Sequence, residues 1–168
     1  QGSDLIVNDN LARIMEPGDV FIIDSLDGTA SAYRRRWDWS VAVNYMKDGS
    51  HRGGAIYAPD VRRGLLVYGE QGVGVFLREG ERQVKQQPKL KDCALRRANV
   101  LYGVDVLKRE QFIRFAHTVA NAVETALVTG SCALGVATVA IGRADAIVQS
   151  QQWPWDWASA TIIEAAGG

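Results

Sequence analysis

With 168 residues, 47% of them hydrophobic and 23% charged, the chain can bury the core of one globular domain, which excludes disorder as the default. Its 19 Lys plus Arg balance 19 Asp plus Glu for a formal net charge of zero, so no global field draws nucleic acid or an anionic membrane, and a charged partner has to be recognised locally. Cys93 and Cys132 are far apart and have no CxxC neighbour, which excludes a structural zinc site and a disulfide framework and makes a reducing cytoplasm the simpler expectation.

From the N-terminus, QGSDLIVND has neither a basic nor an apolar leader region. Val20-Phe21-Ile22-Ile23, after Pro17-Gly18 and before Asp24, reads as a strand buried on both faces. Past the Asp27-Gly28-Thr29 turn, the runs Trp39 to Met46, Gly54 to Tyr57 and Leu65 to Tyr68 are separated by Asp48-Gly49, Pro59-Asp60 and Gln71-Gly72; that punctuation predicts an antiparallel meander. Asn99 to Val104 reads as a strand. Phe112, Phe115, Ala116, Val119 and Val123 fall at helical spacing within a helix from about Leu107 to Val123. A βαβ rhythm closes the chain: a strand at Ala126 to Thr129, a buried apolar helix at Ser131 to Ile141, a strand at Ala144 to Gln149, and a helix from Asp156 to Ala166 stopped by Gly167-Gly168. The run Cys132 to Ile141 is too short to span a bilayer. The class is α+β or layered α/β, in one domain with no repeat or linker.

Two segments carry chemistry. Asp24-Ser25-Leu26-Asp27-Gly28-Thr29 sets two carboxylates three residues apart where a strand ends. Hard oxygen donors of this kind suit Mg²⁺, with the Leu26 carbonyl as a further donor. If Gly28 and Thr29 open a helix or a nest of backbone N–H groups, an anion site lies beside the cation. Asp-Gly is also a common turn dipeptide, so a purely local turn is the competing reading. In Trp153-Pro154-Trp155-Asp156-Trp157-Ala158-Ser159-Ala160 an acid stands at a helix start among three tryptophans; an N-cap alone would account for it.

Taken together, the two segments resemble the hallmark motifs of the inositol monophosphatase superfamily, D-P-[IL]-D-G-T and W-D-x-A-[AG]-[GA]. Gly130-Ser131-Cys132-Ala133, Val139-Ala140, Gly142 and Asp145-Ala146 match the family's G-[ST]-A-A-x-x-x-x-x-V-A-x-G-x-x-D-A pattern, and Glu164-Ala165-Ala166-Gly167-Gly168 its E-A-G-G. The resemblance implies a layered α-β-α-β-α sandwich and Mg²⁺-dependent, Li⁺-sensitive hydrolysis of a small phosphomonoester by metal-activated water, in a cytoplasmic homodimer that binds neither nucleic acid nor membrane. It implies that Asp24 bridges two metals, that the Leu26 carbonyl binds the first, and that Asp27 and Asp156 hold the second. Thr29 would orient the attacking water, Gly28 and Thr29 amides would contact phosphate, and Gly130, Ser131, Cys132 and Gln149 would border the substrate.

The departures point elsewhere. No G-E-E segment precedes Asp24, leaving Asp4 or Glu16 as upstream acids, and the family's terminal helices and strands are not seen, so residues 1–168 read as a catalytic core within a longer chain. Ser25 replaces the usual proline. Gln149 stands where inositol-type enzymes carry a hydroxyl-binding glutamate, which leaves inositol phosphates, sugar bisphosphates, histidinol phosphate and 3′-phosphoadenosine nucleotides open as substrates. A non-catalytic binding or scaffold subunit is the alternative. Arg34-Arg35-Arg36 reads as a solvated charge run or a steering patch, His51 and His117 as ordinary histidines, and Phe21 and the tryptophans as core. No G-x-S-x-G elbow and no phosphate-binding G-x-x-x-x-G-K-[ST] loop occurs.

Overall fold

A computed structural model of the chain describes residues 14, 16–86, 93–150 and 153–167. Six strands run as an uninterrupted antiparallel meander: β1 (Asp19–Asp27), β2 (Ser40–Lys47), β3 (Ser50–Ala58), β4 (Leu65–Glu70), β5 (Gly74–Glu79) and β6 (Arg82–Gln86). Asp48-Gly49 and Gln71-Gly72 form their hairpin turns, with Asp48, Gly49 and Gly72 all at positive φ. β5 and β6 are additions to the expected meander. The expectation of a first strand buried on both faces is corrected: β1 is an edge strand with alternating exposure, and Phe21 and Ile23 are 63% and 59% exposed.

Three short strands, β7 (Asn99–Gly103), β8 (Thr125–Thr129) and β9 (Ala146–Val148), pair in parallel in the order β8-β7-β9. Parallel pairing requires crossovers, and two helices make them: α2 (Glu110–Ala120) and α3 (Cys132–Ala140). A one-turn helix α1 (Thr29–Tyr33) follows β1, and α4 (Ala158–Ala165) closes the chain.

The main core lies between the two sheets. Ala42, Ile56, Ala58, Leu65, Val67 and Val75 of the large sheet meet Ala133, Leu134, Ala137, Ala140 and Ile141 around α3, and Ile162 and Ala166 around α4. The almost wholly apolar character of α3 is explained by this position, since it packs on both sheets. A Cβ on its Gly135 would stand 2.2 Å from Ile147 Cδ1, so a residue without one lets α3 settle against β9. On the far face of the small sheet, Val100, Tyr102, Val106 and Ala116 form a second core under α2. Phe115 does not join it: it is 50% exposed, and Phe112, Val119 and Val123 pack there instead. The described residues thus make four of the five expected layers, with the outer face of the six-stranded sheet uncovered among them.

Phe21, Trp37 and Trp153 depart from the expectation of core residues. Trp37 and Trp153 are 61% and 43% exposed. Phe21 stacks on Tyr45 across the outer sheet face, and Trp153 stacks on Trp155.

Candidate metal centre

In a regular strand, residues three apart point to opposite faces, so Asp24 and Asp27 would be separated by the sheet. A register shift between them prevents this. Asp24 pairs with Ala42 and Asp27 with Ser40, and Ala42 and Ser40 are both wholly buried on the face that meets the helices. The bulge therefore turns both carboxylates to one side. Asp24 Oδ1 accepts the Leu26 amide at 2.9 Å, and Thr29 Oγ1 donates to the Leu26 carbonyl at 3.0 Å, closing a tight loop around the motif. Gly28, at φ 84° and ψ 37°, makes the turn into α1; a Cβ there would lie 2.9 Å from the Asp38 carbonyl and 3.2 Å from that of Gly130, so both conformation and space select glycine.

The carboxyl ends of parallel strands supply the facing wall. β7 leads to Asp105, β8 to Gly130, Ser131 and Cys132, and β9 to Gln149 and Ser150. Asp105 Oδ2 accepts the Ser150 amide at 2.7 Å and also the Ser150 hydroxyl, while Gln149 Nε2 donates to the Cys132 carbonyl at 3.2 Å. These bonds tie the three strand ends together.

Ser131 joins this wall to the motif. Its hydroxyl donates to Asp27 Oδ2 at 2.5 Å, and the Ala133 amide donates to the same oxygen at 2.7 Å. Ser131 Oγ also caps α3 by accepting the Leu134 amide at 3.0 Å and lies 2.8 Å from Ser40 Oγ. With its one hydrogen committed to Asp27, Ser131 must receive that last bond from Ser40, which satisfies the hydroxyl completely.

Asp156 arrives from the other end of the chain. The expected helix start is in fact a 3₁₀ turn over Pro154–Trp157 that precedes α4. Asp156 Oδ2 accepts the preceding Trp153 amide at 2.7 Å. Asp24, Asp27 and Asp156 each offer a carboxylate oxygen, and these atoms lie within 4.8 Å of one another. Among the described residues this is the one acidic group so gathered. Glu16 is exposed before β1; Asp4 lies outside the described residues.

The electrostatics follow from the crowding. Asp156 is 8% exposed, and burial, with added repulsion from Asp27, Asp24 and Asp105, pushes its carboxyl up to about 6 against the Trp153 hydrogen bond. Burial likewise raises Asp27, partly offset by Ser131 and the Ala133 amide, with the Asp24 charge adding to the rise. Cys132 borders the same acids; burial and then the charges of Asp27, Asp105, Asp156 and Asp24 push its thiol up to about 12, so it is no thiolate nucleophile at neutral pH. Three hard oxygen donors that repel one another away from bulk water fit a divalent cation, which would relieve that repulsion.

Of the residues expected to border the substrate, Gly130, Cys132 and Gln149 stand at this wall, and the Ser131 side chain is wholly buried and turned to Asp27. Sequence reading missed Ser40, Asp38 and Asp105. Asp105 carried one usable signal, an acid just past a strand of the βαβ unit. The arginine run is broken up: Arg34 donates to the Ala30 carbonyl and Arg36 pairs with Asp38. His51 Nδ1 lies 2.9 Å from Asn44 Nδ2, and His117 is an exposed residue of α2. No helix among the described residues is long and apolar enough to cross a membrane.

The profile of the inositol monophosphatase family matches residues 4–168. The chain is 32% identical over 158 residues to a fructose-1,6-bisphosphatase/inositol-1-monophosphatase of Thermotoga maritima, covering 92% of this chain and 57% of that protein. It is 28% identical over 157 residues to the Nus factor SuhB of Xylella fastidiosa, covering 89% of this chain and 53% of the other. Its fold superposes on an IMPase structure from Thermotoga maritima with a TM-score of 0.77 at 26% identity, over 91% of this chain and 57% of that one. The chain spans a little over half the length of the relatives it matches.

Proposed function

The chain belongs to the inositol monophosphatase family, and from that premise we propose that its protein is a phosphoric monoester hydrolase acting on a small inositol- or sugar-phosphate substrate with Mg²⁺. The observation that carries this reading is the convergence of Asp24, Asp27 and Asp156 within 4.8 Å, from opposite ends of the sequence. These three carboxylates and the Leu26 carbonyl would hold the cation. When bound, it would lower the pKa of a coordinated water, neutralise phosphate charge and stabilise the leaving alkoxide.

The remaining roles belong to the chain. The Thr29 hydroxyl, now bonded to the Leu26 carbonyl, would orient the attacking water; the Gly28 and Thr29 amides would meet phosphate oxygens. Ser131 and the Ala133 amide keep Asp27 aimed at the centre. Gly130, Cys132 and Gln149 would face the substrate, and Gln149 presents an amide where a carboxylate would accept a hydroxyl hydrogen bond more strongly. The raised Cys132 thiol supports water rather than cysteine as the nucleophile. Lithium inhibition, a homodimer and a cytoplasmic setting are carried over from the resemblance.

The test is turnover by the full-length protein on inositol 1-phosphate, fructose 1,6-bisphosphate and a 3′-phosphonucleotide with Mg²⁺, then with excess EDTA. Hydrolysis of at least one, abolished by EDTA and restored by Mg²⁺, is expected. Undiminished turnover in EDTA would remove the metal-assisted mechanism. Absence of turnover on all of them would favour the binding-subunit alternative, which the name of the Xylella relative brings forward.

A further inference from the structure

Asp38 lies outside every motif quoted above, yet it is 1% exposed, a rare state for a carboxylate. Oδ2 accepts the Gly130 amide at 2.9 Å and Arg36 Nη2 at 2.9 Å. Oδ1 is buried and accepts no hydrogen bond among the described residues. A buried charge held by one backbone amide and an arginine whose own side chain is 58% exposed is a costly arrangement, and an apolar residue of similar volume would avoid that cost. Its placement accounts for it. Gly130 immediately precedes Ser131, and the Ser131 hydroxyl and Ala133 amide are the donors that grip Asp27. A Cβ on Gly130 would fall 2.1 Å from Ser31 Oγ and 2.7 Å from Asp38 Oδ2, so the loop is pressed onto Asp38 with no room to shift.

We propose that Asp38 is a positioning residue of the acidic centre: through the Gly130 amide it fixes the loop that holds Asp27, while Arg36 holds Asp38 in turn. Asp38 is not itself one of the gathered carboxylates, which among the described residues are Asp24, Asp27 and Asp156. The inference rests on the proposed metal-dependent reading for its effect on turnover, but its primary readout is binding of Mg²⁺ alone.

The test is calorimetric Mg²⁺ binding and steady-state kinetics on the full-length protein. Asp38→Ala should weaken Mg²⁺ binding at least fivefold and lower kcat at least tenfold at saturating Mg²⁺, because the loop it fixes aims Asp27 at the cation. Asp38→Asn should recover most of both losses, since its amide oxygen still accepts from Gly130. A folded Asp38→Ala protein with wild-type Mg²⁺ affinity would overturn the proposal and leave the phosphatase reading standing. Asp38→Asn as impaired as Asp38→Ala would also overturn it. Should Asp38→Ala fail to fold, Arg36→Gln, a change at a half-exposed side chain, is read in the same way: at least twofold weaker Mg²⁺ binding is expected, and unchanged affinity overturns it. A wild-type protein that binds no Mg²⁺ overturns this inference and the metal-dependent reading together.

Discussion

At the residue scale, Asp156 separates a cation ligand from a turn-forming acid. Its carboxyl sits at about 6 instead of 3.8, a rise that makes the ionised form less favourable in the folded chain. Below about pH 4 both folded and unfolded states hold the proton and there is no penalty; between about pH 4 and 6 the penalty grows to about 3 kcal/mol and stays there at higher pH. EDTA-treated wild type should therefore lose stability across that window relative to Asp156→Asn, whose amide can still accept from Trp153 but never ionises. Urea unfolding of both proteins at pH 4 and pH 7 checks it, and equal losses would take Asp156 out of the repulsive group. The three aspartates were legible because two stand in a short spacing and the third in a tryptophan-rich motif. Asp38 was not. A single acid between Trp37 and Trp39 has no partner at a telling distance, and its role depends on Gly130, brought to it only by the fold.

At the scale of elements, Ser131 serves helix and site at once. It caps α3 through the Leu134 amide and donates to Asp27. Losing an N-cap serine costs about 1 kcal/mol, and leaving a half-buried carboxylate without one of its donors adds a comparable amount. Ser131→Ala should thus be destabilised by about 2 kcal/mol in EDTA at pH 7, visible as a lower urea midpoint with an unchanged slope. A midpoint shift below about 0.5 kcal/mol in equivalent stability would show that Ser131 carries neither task. The helix itself was readable from its unbroken apolar run, as were the strands set off by Asp-Gly and Gln-Gly turns. The bulge between Asp24 and Asp27 was not, because its signal is the pairing with Ser40 and Ala42 rather than any residue in the motif. β6 was hidden for another reason: Arg82 to Lys85 are exposed, so no buried face imposes an apolar alternation on them.

At the scale of the whole molecule, the acidic centre joins β1, the Gly130 loop at the end of β8 and the Asp156 turn before α4, and so spans nearly the full described chain. Any ligand that binds these parts only when they are assembled must stabilise the assembled state by mass action. At a cation concentration about one hundred times its dissociation constant the gain is about 2.7 kcal/mol, and for a domain of this size each kcal/mol moves the melting temperature by about 2–4 °C. Mg²⁺ at that concentration should therefore raise the Tm of the EDTA-treated protein by about 5–10 °C at pH 7, with Na⁺ at matched ionic strength giving far less. The gain should shrink as the pH falls through about 6, because protons then compete with the cation for Asp156. It should vanish in Asp27→Asn, which keeps an oxygen for Ser131 but removes a ligand charge from the centre. A Tm indifferent to Mg²⁺ at pH 7, or a gain retained in Asp27→Asn, would mean that the three carboxylates meet without forming a cation site, and differential scanning calorimetry of the two proteins with and without Mg²⁺ decides between these outcomes.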